Sequence, residues 1–263
     1  MAEYERGDTV SQGSLPELEG LDLEIPEGVF APTATSGVLI RSVVENESGS
    51  ARTLDLGCGT GAVGLALVKA GVAAQPFAAS DASQAAVDAT IRNAKRSGCS
   101  VDARCGPLFD PWLDVGFDVV VDDVSGVAEE VASISPWFSG VPCESGPDGD
   151  RLVTDVIRQA PGHLKPGGRI YFPIVSFSKA ETILGTAEET FESVEKVGHE
   201  AFPLPLGMYD HRETLGRMRE EGRIDFSEKF GMILFWTDVY LSLIHISEPT
   251  RRTPISYAVF CLK

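Results

Sequence analysis

Apolar and polar positions along the chain alternate between two periods. Thr53–Leu56, Pro76–Ala79, Ser100–Arg104, Phe117–Val121, Arg169–Pro173, Ser193–Val197 and Met232–Tyr240 are short runs, continuous or alternating, that predict strands. Phe117–Val121, FDVVV, has the β-branched character of a strand buried on both faces. Ala62–Ala70, Ser83–Ser97, Asp150–Ala160 and Ala180–Thr190 lie between these runs as predicted helices, and Gly71 and Gly98 close the first two. Ser36–Glu45 predicts a helix ahead of the first strand, with Ser36 as its candidate N-cap. Tyr209–Glu221 predicts a polar helix before the last strand. Leu21–Val29 alternates Leu21, Leu23 and Ile25 and then meets Pro26 and Gly28, which suits a short strand or an extended arm. Met1 to about Gly20 is polar and without period, as in a frayed start. Strands alternating with helices predict an α/β fold: a mostly parallel sheet covered on both faces.

Composition narrows the class. The chain has 263 residues, enough to bury a core without staples. Its 22 Lys+Arg against 39 Asp+Glu give a net charge of −17. That balance argues against sequence-independent nucleic-acid binding, which rests on cations at phosphates, and favours a basic partner. No apolar run reaches the length of a membrane span, and the polar, acidic start has no signal-peptide pattern, so a cytoplasmic location is expected. Cys58, Cys99, Cys105, Cys143 and Cys261 form no CxxC pair, which indicates neither zinc nor a disulfide framework. His163, His199 and His211 lie far apart, and no metal site is expected. Leu241–Arg251, LSLIHISEPTR, and Ile255–Leu262, ISYAVFCL, resemble one reading frame of a transposon-based sequencing-library adapter. Residues 241–263 are therefore expected to be a non-native tail, behind an N-terminal arm of residues 1–27, partly disordered, and a domain of residues 28–240. Without the tail the chain is more acidic still.

The sharpest motif is TLDLGCGTGAVG, residues 53–64. A strand ends near Asp55, glycines follow at 57, 59 and 61, and a helix begins. Glycines admit positive φ and let a ligand approach the backbone, and the helix start offers free N–H groups. Asp81 closes the second strand, where a carboxylate can accept from ribose hydroxyls; capping the helix that follows is its bland role. A plain dinucleotide-binding domain is the alternative for the loop.

The string D-x-G-x-G-x-G, the acid after the second strand and the later LKPGG turn resemble class I S-adenosylmethionine-dependent methyltransferases, nearest the release-factor glutamine and ribosomal-protein methyltransferase group. The resemblance runs from about Val29 to Tyr240 and implies a Rossmann-like, doubly wound sheet of seven strands, the last antiparallel. It implies S-adenosylmethionine as cofactor, with Gly57, Gly59 and Gly61 at its methionine end, Asp81 at the ribose, and Asp55, Cys58, Ala82 and Leu108 among the other cofactor-binding residues. Gly28–Thr33 resembles the segment such enzymes place over the cofactor, making Phe30 and Thr33 candidate lid residues; a buried aromatic and a capping hydroxyl are the bland readings.

The chain departs from that family after the fourth strand. Where amino-methylating members carry Asn-Pro-Pro-Tyr, this sequence has Asp123-Val124-Ser125-Gly126, preceded by Asp122. An ionised Asp only accepts hydrogen bonds, whereas an amide acceptor asks for a donor and an acceptor. Asp122, Asp123 and Ser125 are the candidate catalytic residues, serving a cationic or hydroxylic acceptor or a proton transfer, while at least one Asp is expected merely to cap the next turn. Two adjacent buried carboxylates should raise a pKa. Pro107 stands where relatives often present an acid to the adenine, so backbone near Gly106–Leu108 would serve. The long loop 133–150 offers Trp137 and Phe138 to an acceptor pocket or to the sheet edge. The expected function is in-line methyl transfer to a protein or small-molecule acceptor; a catalytically inactive cofactor-binding module and an RNA methyltransferase are the alternatives.

Overall fold

The structure is a computed structural model and describes residues 15–244. Eight strands form one sheet: β1 (Thr53–Leu56), β2 (Phe77–Asp81), β3 (Val101–Cys105), β4 (Phe117–Asp122), β5 (Leu164–Val175), β6 (Ser193–Pro203), β7 (Ser227–Lys229) and β8 (Met232–Leu243). Their order is β3-β2-β1-β4-β5-β8-β6, with β7 paired to β8. The first five are mutually parallel, and β8 runs antiparallel to β5, β6 and β7. This is the doubly wound, Rossmann-like sheet expected, with one additional short strand.

Period-two alternation sorts the strands onto two cores. Phe77, Ala79, Val119, Val121 and Tyr171 point into one core, which holds α1 (Ala34–Asn46), α2 (Ala62–Lys69) and Leu18 and Leu23 of the arm. Leu54, Leu56, Val120, Ile170 and Phe172 point into the other, against α5 (Arg151–Gln159) and α6 (Ala180–Thr190). Helix α3 (Gln84–Arg96) lies along β2 and β3. A third core sits beyond the C-terminal end of β5. Val127, Ala128 and Val131, with α4 (Glu129–Ile134), meet Leu204, Met208, Leu215, Met218 and Phe235, with α7 (Arg212–Glu220).

Several boundaries differ from the sequence reading. Leu21–Val29 takes the second of its two expected forms, an extended arm without a strand, tied down where the Glu24 N–H donates to Asn93 and the Asn93 amide donates to the Glu24 and Thr60 carbonyls. Helix α1 starts at Ala34 with Thr33 at its N-cap, so Ser36 sits one turn inside rather than at the cap. Helix α4 and strand β7 are short elements that the periodicity did not reveal. Strand β5 begins at Leu164, before the Pro166-Gly167-Gly168 turn signal, because a register irregularity between Phe117 and Val119 lets Leu164 pair as well as Arg169. Strand β8 continues to Leu243, three residues past the expected domain end. The expected frayed start up to Ser14 and the adapter-like residues from 245 onward lie outside the described residues.

Candidate active site

The C-terminal ends of β1, β2 and β4 meet where the strand order reverses, the place where open α/β sheets bind ligands. There the chain after β1 bends through Gly57, Gly59 and Gly61, with φ of 79°, 51° and 78°. The Gly57 and Cys58 N–H groups both donate to the Ser80 carbonyl, which pins the bend to β2. The three glycines have different neighbours. A Cβ on Gly57 would lie 2.9 Å from the Val124 nitrogen, and one on Gly61 2.9 Å from Thr90 Cγ2. A Cβ on Gly59 would meet only the Phe30 carbonyl oxygen, at 3.5 Å. Gly57 therefore seats the β1 bend against the loop after β4, and Gly59 alone faces open space.

Asp81 is turned toward this bend. Its Oδ2 accepts from the Gly59 N–H at 3.0 Å and its Oδ1 from the Ser83 N–H at 2.8 Å. Ser83, not Asp81, caps α3. Burial raises the Asp81 carboxyl above its ordinary range, against the pull of these two N–H groups. Ala82 beside it is exposed, and its carbonyl accepts from Cys105. Cys58 is buried, with Thr90 donating to its sulfur at 3.3 Å, and burial pushes its thiol up. Asp55, fully buried, accepts the Gly64 N–H at 2.9 Å through Oδ2 while Oδ1 has no partner. Burial raises its carboxyl to about 7.

Strand parity separates the two carboxylates that end β4. Asp122 follows Val120 toward the α5 side, and its Oδ1 accepts the Val124 N–H at 3.1 Å. It caps that turn; its Oδ2 is buried without a partner among the described residues. Asp123 follows Val121 toward α1, where Ser36 Oγ donates to its Oδ2 at 3.0 Å. Burial and the facing Asp55 raise Asp123 to about 8, and burial holds Asp122 well above the carboxylate range. Ser125 is half-buried in the same loop.

The segment before α1 covers the bend. The Phe30 ring stands 5.0 Å from that of Phe138, and the Thr33 N–H donates to Ser36 Oγ at 3.4 Å. Trp137 takes the blander of its two roles, packed on Phe235 and Phe177 of the third core at 5.1 and 6.4 Å. On the β3 side, Leu108 has φ 44°, and its carbonyl accepts from Ser80 Oγ at 3.4 Å. The Leu108 N–H makes no hydrogen bond among the described residues, whereas the Gly106 N–H is used by the Asp81 carbonyl.

Residues 22–123 match the family model described as Methyltransferase small domain. That stretch begins in the arm and ends on Asp123, so it contains Phe30, the glycine bend, Asp81 and Leu108, but not Phe138. Over that stretch the chain resembles the methyltransferases that the family describes. A release factor glutamine methyltransferase of Geobacter sulfurreducens is 29% identical over 182 residues, 66% of this chain and 62% of that protein. A ribosomal protein uL3 glutamine methyltransferase of Bradyrhizobium diazoefficiens is 27% identical over 76% of this chain and 63% of that one. The chain thus spans about three-fifths of the length of these curated relatives. Among solved structures, the ribosomal protein L11 methylase of Lactobacillus delbrueckii subsp. bulgaricus superposes with a TM-score of 0.53 at 17% identity, covering 84% of this chain and 83% of the other.

Around this site the structure adds residues that the sequence did not reveal. Thr90 and Asn93, on the buried face of α3, hold the bend through the Gly59 and Thr60 carbonyls. Ser36 holds Asp123. Arg223 reaches from beyond α7 to Asp148 at 2.7 Å and to Glu130 at 3.4 Å, fastening the loop after α4. No helix among the described residues is long and apolar enough to cross a membrane.

Proposed function

We propose that the chain is an S-adenosylmethionine-dependent methyltransferase that acts by in-line transfer on a polypeptide side chain. The observation that supports this reading is the close approach of Gly57 to Val124, which sets the glycine bend after β1 against the loop after β4. The residues present fit the cofactor. Gly59 leaves the space that a Cβ would fill, Asp81 keeps lone pairs on both oxygens, and the Leu108 N–H is unused among the described residues. Gly57, Gly59 and Gly61 would hold the methionine end, Asp81 the ribose and Leu108 the adenine edge, with Phe30 and Phe138 over the bend. When bound, the cofactor supplies an electrophilic methyl group on a sulfonium.

The protein's contribution is position and charge. Asp123 presents the acceptor side of the cleft with an oxygen that Ser36 does not use. At neutral pH its raised carboxyl is largely protonated, so it offers both a donor and an acceptor, as the family's Asn does. The restriction drawn for an ionised Asp therefore lifts while the carboxyl keeps its proton, and an amide acceptor is accommodated. The relatives named for release factor and ribosomal protein glutamine, together with the acidic charge of this chain, favour a basic protein of the translation apparatus as partner.

Isothermal titration with S-adenosylmethionine and S-adenosylhomocysteine tests the donor half, with micromolar binding expected. Labelled-methyl transfer into lysate protein, analysed before and after ribonuclease and protease, tests the acceptor half. Label that is resistant to protease and released by ribonuclease would favour RNA, and binding without transfer would favour an inactive module.

A further inference from the structure

We propose that Ser36 is a positioning residue for this transfer: its hydroxyl fixes one oxygen of Asp123 and leaves the other to meet the acceptor. The inference rests on the methyl-transfer reading. Ser36 lies one turn into α1 and is 2% exposed, so its hydroxyl works inside the protein. A serine hydroxyl has one hydrogen to donate. The Thr33 N–H points at Ser36 Oγ and occupies a lone pair, so the hydroxyl hydrogen is directed at Asp123 Oδ2, 3.0 Å away. Asp123 Oδ1 takes no hydrogen bond from the described residues. The same hydroxyl therefore joins the segment over the cofactor bend, through Thr33, to the carboxylate beside the acceptor. The charged group that acts on Asp123 is the Asp55 carboxyl from β1, and Asp123 in turn raises Asp122 next to it. Of the groups around Asp123, Ser36 is the one that favours its ionised form.

The test is a titration of the full chain carrying 13C-labelled aspartate carboxyls, with the Asp123 resonance assigned by its loss in Asp123→Asn. In Ser36→Ala the Asp123 titration moves to higher pH by about one pH unit, the effect of removing one hydrogen bond to a charged form. Ser36→Thr, which keeps the hydroxyl, titrates as the wild type does. An unshifted Asp123 in folded Ser36→Ala overturns the proposal. Should that variant not fold, Ser36→Cys replaces a strong donor with a weak one, and an unshifted titration there overturns it equally. Cofactor binding separates the two levels. Wild-type affinity with an unshifted titration refutes only the Ser36 role, whereas no cofactor binding by the wild type refutes the function on which it rests.

Discussion

Replacing Gly57 or Gly59 by alanine should damage the protein in two different ways. At Gly57 the new Cβ would sit 2.9 Å from the Val124 nitrogen and 3.0 Å from its Cα, with φ at 79°. A left-handed alanine costs roughly 1–2 kcal/mol, and forcing two backbones apart adds roughly 1–3 kcal/mol. Together these amount to a loss of about 2–5 kcal/mol, read as a fall in melting temperature of about 4–20 °C for a domain of this size. At Gly59 the conformational cost is similar, about 1–2 kcal/mol, but the Cβ meets only the Phe30 carbonyl at 3.5 Å. Gly59→Ala should therefore stay folded with a small melting shift, and the new methyl should occupy the space facing the cofactor. A loss of affinity of at least about tenfold, roughly 1.4 kcal/mol, is expected by isothermal titration. Urea unfolding and titration on both variants give a two-by-two comparison. The reasoning fails if Gly59→Ala binds S-adenosylmethionine as the wild type does, or if Gly57→Ala is no less stable than Gly59→Ala.

Asp81→Ala should weaken cofactor binding by about 100-fold or more, the worth of two hydrogen bonds to a charged group, measured by the same titration. The raised carboxyls give a pH slope of definite sign. Asp55 and Asp123 hold protons in the fold up to about 7 and 8 but lose them near 3.8 when unfolded. The fold therefore binds more protons, and this contribution to stability is lost as pH rises from about 4 through those values. Urea midpoints should accordingly fall between pH 5 and 8 in the cofactor-free protein, and less steeply in Asp123→Asn; equal slopes would contradict the burial of Asp123. Cys105, exposed, should react with a thiol reagent in the native state, while Cys58 should react only on unfolding, as mass spectrometry of the labelled peptides can show.

The first half of the fold was legible because its signals are local. The apolar run of β4 and the glycines after α2 and α3 mark elements that the structure reproduces within a residue or two. Asp81 at the bend was also legible, since strand length alone puts a residue at the end of β2 beside the β1 turn. The rest depends on distant neighbours. Nothing around Gly57 says that its Cβ would strike Val124, and nothing around Ser36 says that its partner is 87 residues away. Helix α4 is six residues long and is held by the third core rather than by its own periodicity. The departure from Asn-Pro-Pro-Tyr was plain in the sequence, but an acid's protonation depends on what is packed around it, and only the fold supplied Asp55 as its neighbour.

The third core begins at Val127, just after the family match ends at Asp123. Donor grip and downstream packing are thus laid end to end along the chain, with a few residues as the seam. On the proposed function, a hybrid joining residues 15–126 of this protein to the corresponding later half of a relative would keep the glycine bend and Asp81 while exchanging Phe138 and the wall that greets the incoming substrate. Partner choice in such a molecule can drift without reopening the chemistry.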